Sequence, residues 1–439
     1  MTNGQGQGRP DPTGFRIGLM ALILCAGAVG AADRGSVRWT TPDTSLRSLT
    51  ARFADPQPLL YLYRRDADDA LIRLVDGPEG LATVAAAAAA VNQPVALAPW
   101  PGSADAPGIG RVRFEVADSP AGQAGALRLI DPAGGSLAVT DPLRGRPLGL
   151  LEVVDAGSSR LLAVSLESDD RLLLTEVPED FATALIEIDL PTPPDPWAAV
   201  ALPAANRSDD DSRAGDSPTV DGLPVDGQGV AGSALDRSMD PNPPINSPPD
   251  LALFGIEDDG HVVARLVHTD TGVPGPTLTF GRRLTPVDAV ALPDVFPDGS
   301  PELAVLGESD DGRVAGILIK ETGSGTTVGR FRLSPSYQPL ALHYLAAGES
   351  GQAELLVVGL RANGALGLQR RSLAGGRASR AGPTLPLKAR YMPDDTAVLR
   401  LGEDGRMILA LAGADWRGQF RLEVRDAVSG ALLLDRALP

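Results

Sequence analysis

The sequence repeats with a period of about 52 residues, and this regularity constrains the fold more than any other feature. In each copy a short apolar run is followed by a turn rich in Asp, Ser and Gly, then by a second apolar run and a second such turn. The clear copies begin at Leu251, Leu303, Leu355 and Ile408, at spacings of 52, 52 and 53 residues. Weaker copies begin at Leu59, Val112 and Leu161. Such a chain consists of several copies of one structural unit and not of several unrelated domains.

Each unit carries a further strand on either side of this pair, as in PVDAVALPD and TTVGRFRL around the copy at Leu303. Units of four short strands, each unit about 50 residues long, are typical of β-propellers. Runs such as LAVL and LLVV are apolar on both faces, as expected for a strand pressed between neighbouring sheets. The sequence therefore predicts an all-β fold, a seven-bladed β-propeller of four-stranded blades.

The N-terminal residues have the pattern of an export signal. Arg9 and Arg16 precede the apolar run IGLMALILCAGAVGAA, which is short for a membrane span and ends in small residues. We expect 1–32 to be a cleaved signal peptide and 33–439 to form the propeller of a periplasmic or secreted protein, with no membrane insertion after cleavage. An uncleaved N-terminal anchor is the alternative. The one cysteine, Cys25, would leave with the signal peptide, so the mature protein would hold no disulfide.

A polar insertion interrupts the repeat. The copies at Leu161 and Leu251 are 90 residues apart, and the excess falls in 205–249, which is rich in Asp, Pro and Gly and has no aromatic residue. Such a segment buries too little apolar area to fold alone. We predict a disordered insertion between the first and second strands of the fourth blade. For the alanine run at 85–90, a short helix and an outer strand both stay open.

The charge of the chain excludes several classes of partner. The formal net charge is −17, and nucleic acids and anionic lipids bind proteins through clustered Lys and Arg. No catalytic motif stands in a suitable context: GQGVAG at 227–232 lies in the insertion with no strand before it, and no GxSxG is present. We expect a monomer without a cofactor whose partner is a protein or a surface polymer.

The stretch PDVFPDGSPELAVLG at 293–307 resembles the FG-GAP and VCBS-type repeats, whose blades carry an Asp-rich loop before a strand of this kind. The resemblance extends over about 249–439 and also includes VRDAVSGALLL near the C-terminus. In those families the loop can bind calcium through closely spaced carboxylates. Phe296 stands at one ligand position and cannot coordinate calcium, so a loop that turns without metal is the alternative. The site that the resemblance implies consists of Asp294, Asp298 and Glu302.

Acidic turns between the second and third strands form another candidate site. They read RRDADD, LESDDR, IEDDG and GESDDG in four copies, and such turns open on one face of a propeller. We predict an acidic rim that would attract cations or a basic partner. Asp and Gly also suit tight hairpins that bind nothing, so plain turn chemistry is the alternative. The rim consists of Asp66, Asp68, Asp69, Asp169, Asp170, Asp258, Asp259, Asp310 and Asp311.

Together these features favour an exported, non-catalytic binding or scaffold module. One alternative is an enzyme that uses the central channel, to which His343, Lys388 and Arg390 would contribute. It would require charged groups from several first strands to converge at one end of the channel. The other alternative is a calcium-dependent adhesion module built on the loop at Asp294.

Overall fold

The structure is a computed structural model, and every regular element among its described residues is a β-strand. It describes residues 36–38, 47–54, 57–64, 70–77, 80–86, 94–100, 110–119, 122–130, 136–155, 158–167, 171–177, 186–203, 249–282, 284–296, 300–309, 315–334, 337–345, 353–373, 379–380, 384–387, 391, 393, 395–401, 406–415 and 417–437. Over these ranges no helix has the length and apolar character needed to cross a bilayer.

The strands form antiparallel sheets in which strands consecutive in the chain pair with each other. The described strands make five blades of four strands each and two further sheets of five strands each. The four-stranded blades are β2 (Arg47–Ala54), β3 (Gln57–Arg64), β4 (Ala70–Gly77) and β5 (Gly80–Ala86); β6 (Pro94–Trp100), β7 (Gly110–Ser119), β8 (Gly122–Ile130) and β9 (Ser136–Val139); β10 (Arg146–Asp155), β11 (Ser158–Leu166), β12 (Leu172–Val177) and β13 (Ile186–Leu190); β18 (Leu284–Leu292), β19 (Glu302–Ser309), β20 (Ala315–Glu321) and β21 (Thr327–Arg332); and β27 (Asp395–Leu401), β28 (Arg406–Ala414), β29 (Phe420–Asp426) and β30 (Leu432–Ala437). The other sheets are β1 (Ser36–Arg38) with β14 (Pro196–Ala201), β15 (Leu251–Ile256), β16 (His261–Val267) and β17 (Pro274–Arg282), and β22 (Gln338–Leu345) with β23 (Glu354–Leu360), β24 (Leu366–Ser372), β25 (Ser379–Arg380) and β26 (Leu385–Pro386).

The prediction of seven four-stranded blades is wrong. Among the described strands, five blades have four strands, and the two further sheets have five. In one of the two, β1 from the N-terminal part of the chain pairs with the free edge of β14. In the other, the outer strand is divided into β25 and β26, which pair with different parts of β24. Repeat spacing detects neither event, because both involve short strands outside the repeated pattern.

The sheets are arranged in a ring. The first strand of each sheet contacts the first strand of the next, as β6 does with β10 and β18 does with β22. The ring closes where β27 contacts β2 and β30 contacts β5. Since β14 contacts β10 and β18 in the same way, its free edge faces the axis, and β1 lies on that axial edge. Closing the ring removes long open edges that would favour aggregation.

The apolar second strands lie between neighbouring sheets, as their composition predicted. Leu251, Leu303, Leu355 and Ile408 are all fully buried, which confirms the repeat register. On β19, Leu303 packs in one cluster with Phe254 of the preceding sheet, whereas Ala304 packs in another with Leu355 of the following sheet. Each strand therefore needs apolar residues on both faces.

A bulge recurs in the first strands of five sheets, where the residue directly after a proline has no partner in the register. Proline cannot donate to a β-ladder, so it is placed at strand starts and bulges. The register shifts at Pro94/Ala96, Pro147/Gly149, Pro196/Ala198, Pro286/Asp288 and Pro339/Ala341. In three of these sheets the proline is paired with a glycine of the second strand: Gly255, Gly307 and Gly359. The bulge brings other groups close to these glycines, so that a Cβ on Gly359 would lie 2.4 Å from the carbonyl oxygen of Gln338.

Two of the predicted irregular segments fall mainly outside the described residues. Ala85 and Ala86 belong to β5, and the remainder of 85–90 is outside. β14 and β15 pair directly, with Ala201 opposite Leu251, although the insertion 205–249 separates them in the chain. Nearly all of that insertion lies outside the described residues.

Candidate functional site

The predicted calcium loop precedes β19. Glu302 is fully buried, and its carboxylate accepts the backbone N–H groups of Val295 at 3.1 Å and Phe296 at 2.9 Å. The Phe296 side chain is buried in the apolar cluster between sheets. These contacts give Glu302 a role in holding the loop. Asp298 lies outside the described residues, so calcium binding at this loop stays a prediction.

Acidic residues at the equivalent position of two other sheets also make structural contacts. Asp250, before β15, accepts the Thr269 N–H at 2.7 Å and the guanidinium of Arg160 at 3.1 Å. Glu354, at the start of β23, forms an ion pair with Arg370 at 2.5 Å. In all three sheets, the carboxylate at or just before the start of the second strand therefore holds a neighbouring loop, turn or strand in place. A carboxylate there is explained without a metal.

Of the predicted acidic rim, the structure describes only Asp258 and Asp259, in the turn between β15 and β16. The other members lie outside the described residues, so the rim stays a prediction: Asp66, Asp68, Asp69, Asp169, Asp170, Asp310 and Asp311. Asp259 contacts His261, with 2.7 Å between its Oδ2 and the ring Nδ1. Hydrogen bonds from the His261 side chain and backbone hold the pKa of Asp259 below its usual value.

Near the axis, buried polar residues join the first strands of neighbouring sheets. His343 on β22 is fully buried, and its Nε2 lies 2.7 Å from the hydroxyl oxygen of Thr396 on β27. Asp288 on β18 accepts the N–H of Leu342 at 2.7 Å. These contacts stabilise the inner part of the ring and are closed to solvent. Lys388 and Arg390, the other axial residues that the sequence suggested, lie outside the described residues.

A groove of about 470 Å³ lies between the last two sheets in the chain, along β29 and β30. Pro386 of β26 and Leu432 form apolar walls, and Leu432 is half exposed. The residues lining the groove are Pro386, Glu423, Arg425, Ser429, Gly430, Ala431, Leu432 and Asp435.

The charged side chains of Glu423, Arg425 and Asp435 form the floor of this groove, and Arg421 lies beside it, paired with Asp435. Arg421, Glu423 and Arg425 alternate along β29 and therefore point to the same face, and Asp435 on β30 is directly opposite Glu423. Arg425 donates to Glu423 Oε2 from Nε at 2.9 Å and from Nη2 at 2.6 Å, and to the carbonyl of Gly430 at 3.1 Å. Arg421 donates to Asp435 Oδ1 at 2.6 Å. The two cations and two carboxylates balance each other.

The inner ion pair is deeply buried. Glu423 is 3% exposed and Arg425 is 4% exposed. Burial raises the pKa of Glu423 above its usual value of 4.5, and the hydrogen bond from Arg425 opposes that effect. A buried ion pair costs desolvation energy and is weak evidence for stability alone. Its position on the floor of a groove makes this cluster a candidate binding site.

Sequence reasoning did not find the groove. The stretch FRLEVRD alternates polar and apolar residues, as does any half-exposed outer strand. The available signal was two arginines and a glutamate at alternate positions of β29. This pattern is equally typical of a strand face that is exposed to solvent.

Comparison with known proteins adds the following. No protein-family model matches the sequence, and no curated protein matches it significantly. The chain is similar in structure to a 6-phosphogluconolactonase candidate from Bacteroides uniformis, with 11% identity, a TM-score of 0.45, and coverage of 85% of this chain and 93% of that one. It is also similar to a fungal lectin of Aleuria aurantia with a six-bladed β-propeller fold, with 10% identity, a TM-score of 0.39 and coverage of 95% of each chain. A functionally unknown protein from Desulfotomaculum acetoxidans has 11% identity and a TM-score of 0.46, with coverage of 83% of this chain and 91% of that one.

The class that the strand topology defines is therefore the β-propeller. Likenesses at this identity and TM-score assign no activity, and a relation to the FG-GAP and VCBS-type repeats stays a proposal.

Proposed function

We propose that this β-propeller is a non-catalytic binding module that holds a polar, uncharged ligand in the groove along β29 and β30. One observation carries the proposal: the buried Glu423–Arg425 ion pair lies in the floor of a groove that Pro386 and Leu432 also line, and Asp435, the other charged lining residue, is paired with Arg421. Binding sites commonly combine apolar walls with a few fixed polar groups. Here Glu423 and Arg425 hold each other in place, so the polar groups are ordered before a ligand arrives.

The ligand class follows from the charges and from the hydrogen-bonding groups. Because Arg421 and Arg425 are balanced by Glu423 and Asp435, the floor offers no net charge to attract an ion. It offers carboxylate acceptors, guanidinium donors and the Ser429 hydroxyl within one groove. A molecule with many hydroxyl groups can donate and accept in this setting. A polyhydroxylated surface polymer, such as a neutral polysaccharide, satisfies these requirements.

Export is part of the proposal. The apolar segment before residue 33 supports a periplasmic or secreted location, where a surface polymer would be accessible. N-terminal sequencing of the protein isolated from its natural source tests this. A start near residue 33 supports the proposal, and an intact N-terminus supports the anchored alternative.

The binding test uses two half-exposed residues close together in the chain. Leu432 lines the groove, whereas Val428 does not, and both are 50% exposed. We expect the wild-type protein to bind at least one neutral glycan, with dextran, xylan and galactan as probes and alginate as the anionic comparison. Leu432→Asp should abolish binding because it places a charge in the apolar wall, and Val428→Asp should leave it unchanged.

Four results would contradict the proposal. Binding to alginate alone would show that the site selects charge. Equal losses from Leu432→Asp and Val428→Asp, or no glycan binding at all, would exclude the groove as a glycan site. Shortening of the glycan during incubation would show an enzyme, and channel and groove variants would then locate its active site.

A further inference from the structure

The turn between β15 and β16 has the same backbone as two other turns of the chain. In residues 257–261, the N–H of Glu257 donates to the carbonyl of His261 at 2.9 Å, and Gly260, with φ of 80°, donates to the carbonyl of Glu257 at 2.7 Å. The same two hydrogen bonds and a glycine with positive φ occur in 361–365 and 415–419. The backbone requirement is therefore one glycine at the fourth position, where the left-handed conformation favours it.

The side chains at the first, third and fifth positions differ among the three turns. The first turn has Glu257, Asp259 and His261, whereas the others have Arg361, Asn363 and Ala365, and Asp415, Arg417 and Gln419. A side-chain oxygen caps the fifth N–H in every case, from Asp259 at 3.1 Å, Asn363 at 3.1 Å and Asp415 at 3.0 Å. The backbone of the turn thus explains one side-chain oxygen, the one that accepts the fifth N–H. It does not explain why a glutamate and a histidine stand beside Asp259.

These three side chains come together on the turn. One ligand atom from each of Glu257, Asp259 and His261 lies within 4.8 Å of the others. Two ligands that are each about 2.1 Å from one ion are at most about 4.2 Å apart, so small rotations of these side chains, of which Asp259 is exposed and the other two are partly exposed, bring all three to one ion. Arg282 donates to the backbone carbonyl of Asp259 at 3.1 Å, and its charge is outweighed by three carboxylates, including that of exposed Asp258.

We propose that Glu257, Asp259 and His261 form a binding site for a divalent transition-metal ion such as Zn²⁺. An imidazole nitrogen with two carboxylates suits zinc and neighbouring transition metals, whereas calcium and magnesium prefer oxygen ligands alone. Three protein ligands leave a coordination position open to water or to a donor group from a partner. The site is separate from the loop at Asp294 and from the groove along β29 and β30.

The test follows the histidine rings directly during a zinc titration of the full chain. The chain has three histidines, so ring-nitrogen NMR resolves His261 from His268 and His343. Zinc should shift the His261 ring signals alone. His261→Gln, which copies the residue at position 419, should weaken zinc binding in calorimetry by roughly tenfold or more, as should Glu257→Gln.

Asp415→Asn is the matched control, because it removes a carboxylate from an equivalent turn that lacks the other two ligands. It should leave zinc affinity unchanged. Zinc binding that persists undiminished in both site variants would overturn the proposal, because the ion would then be held elsewhere in this acidic chain. Zinc shifts at His268 or His343 in place of His261, or no shift at millimolar zinc, would overturn it equally. The NMR experiment uses the wild-type protein, so the result does not depend on whether a variant folds.

Discussion

Replacing Gly359 by alanine should destabilise the ring severely, and the structure indicates how much. The new Cβ would lie 2.4 Å from the carbonyl oxygen of Gln338, a backbone atom of the paired first strand. It would also lie 2.7 Å and 2.9 Å from two ring atoms of Tyr337. Tyr337 is 5% exposed, and its hydroxyl donates to the carbonyls of Val357 at 2.9 Å and Gly367 at 2.8 Å. The aromatic ring of Tyr337 cannot rotate away from the new methyl group without losing both of these hydrogen bonds.

Overpacking in a dense interior costs roughly 1–3 kcal/mol, and a lost buried hydrogen bond adds about 1 kcal/mol. We therefore expect Gly359→Ala to lower the free energy of unfolding by about 3 kcal/mol. At Gly307, in the equivalent position, the added Cβ would contact the side chain of Leu284 at 2.5 Å. That side chain is only partly buried and can move, so Gly307→Ala should cost about 1 kcal/mol.

Gly281 provides the control, because a Cβ there would meet nothing within 4 Å. Gly281→Ala should be neutral or stabilise by up to about 0.5 kcal/mol through the unfolded state. Urea unfolding of the three variants measures these changes in the free energy of unfolding. The comparison holds when the slope of free energy against urea concentration is the same for all variants. The reasoning is refuted if Gly359→Ala stays within about 0.5 kcal/mol of wild type, or if Gly307→Ala proves the more costly.

Three further predictions follow from the packing, the turns and the sequence. Truncating fully buried Leu303 to alanine should cost about 2–5 kcal/mol in the same unfolding assay, and a cost below 1 kcal/mol would contradict its packing between sheets. Burial acts to raise the pKa of Asp426, but hydrogen bonds from Ser429 and Arg406 outweigh it and the pKa lies below its usual value of 3.8. This contribution should be present above that value and lost as pH falls through the lowered pKa, and Asp426→Asn should flatten the acid side of the stability profile, whereas an unchanged profile would contradict the assignment. Deleting 205–249 should preserve a cooperative thermal transition, because its composition forbids a core, and loss of cooperativity would show that the segment packs.

The sequence was most informative where a physical requirement repeats. Burial on both faces of the second strand produces the same apolar run every time, so Leu303 and Ile408 could be placed at equivalent positions. The closing turns need left-handed backbone, so glycines such as Gly272 and Gly325 recur with φ of 67° and 69°. The prolines and glycines of the bulged strands also recur in the sequence, but only the register shows that they pair and that a bulge follows each proline.

Features that occur once could not be predicted in this way. The position of β1 depends on pairing with β14, far away in the chain, and three residues carry no periodic signal. The groove depends on how β29 of the last sheet approaches β26 of the preceding one, so the charges on β29 alone indicate only a solvated strand. Asp259 was predicted from the sequence as a member of the acidic rim, with no link to His261. Only the turn geometry shows that their side chains meet.

The pairing of β1 with β14 also orders the events of folding. Ser36 is opposite Val200, so β1 precedes the other described strands in the chain but pairs with a strand that follows three complete sheets. Contacts between such distant residues are slow to form, because the intervening loop must first be closed at a cost in chain entropy. Three sheets precede β14 in the chain and can assemble before that contact exists. We therefore expect β1, the first of the described strands, to join the axial edge of β14 late in folding, after neighbouring sheets have formed.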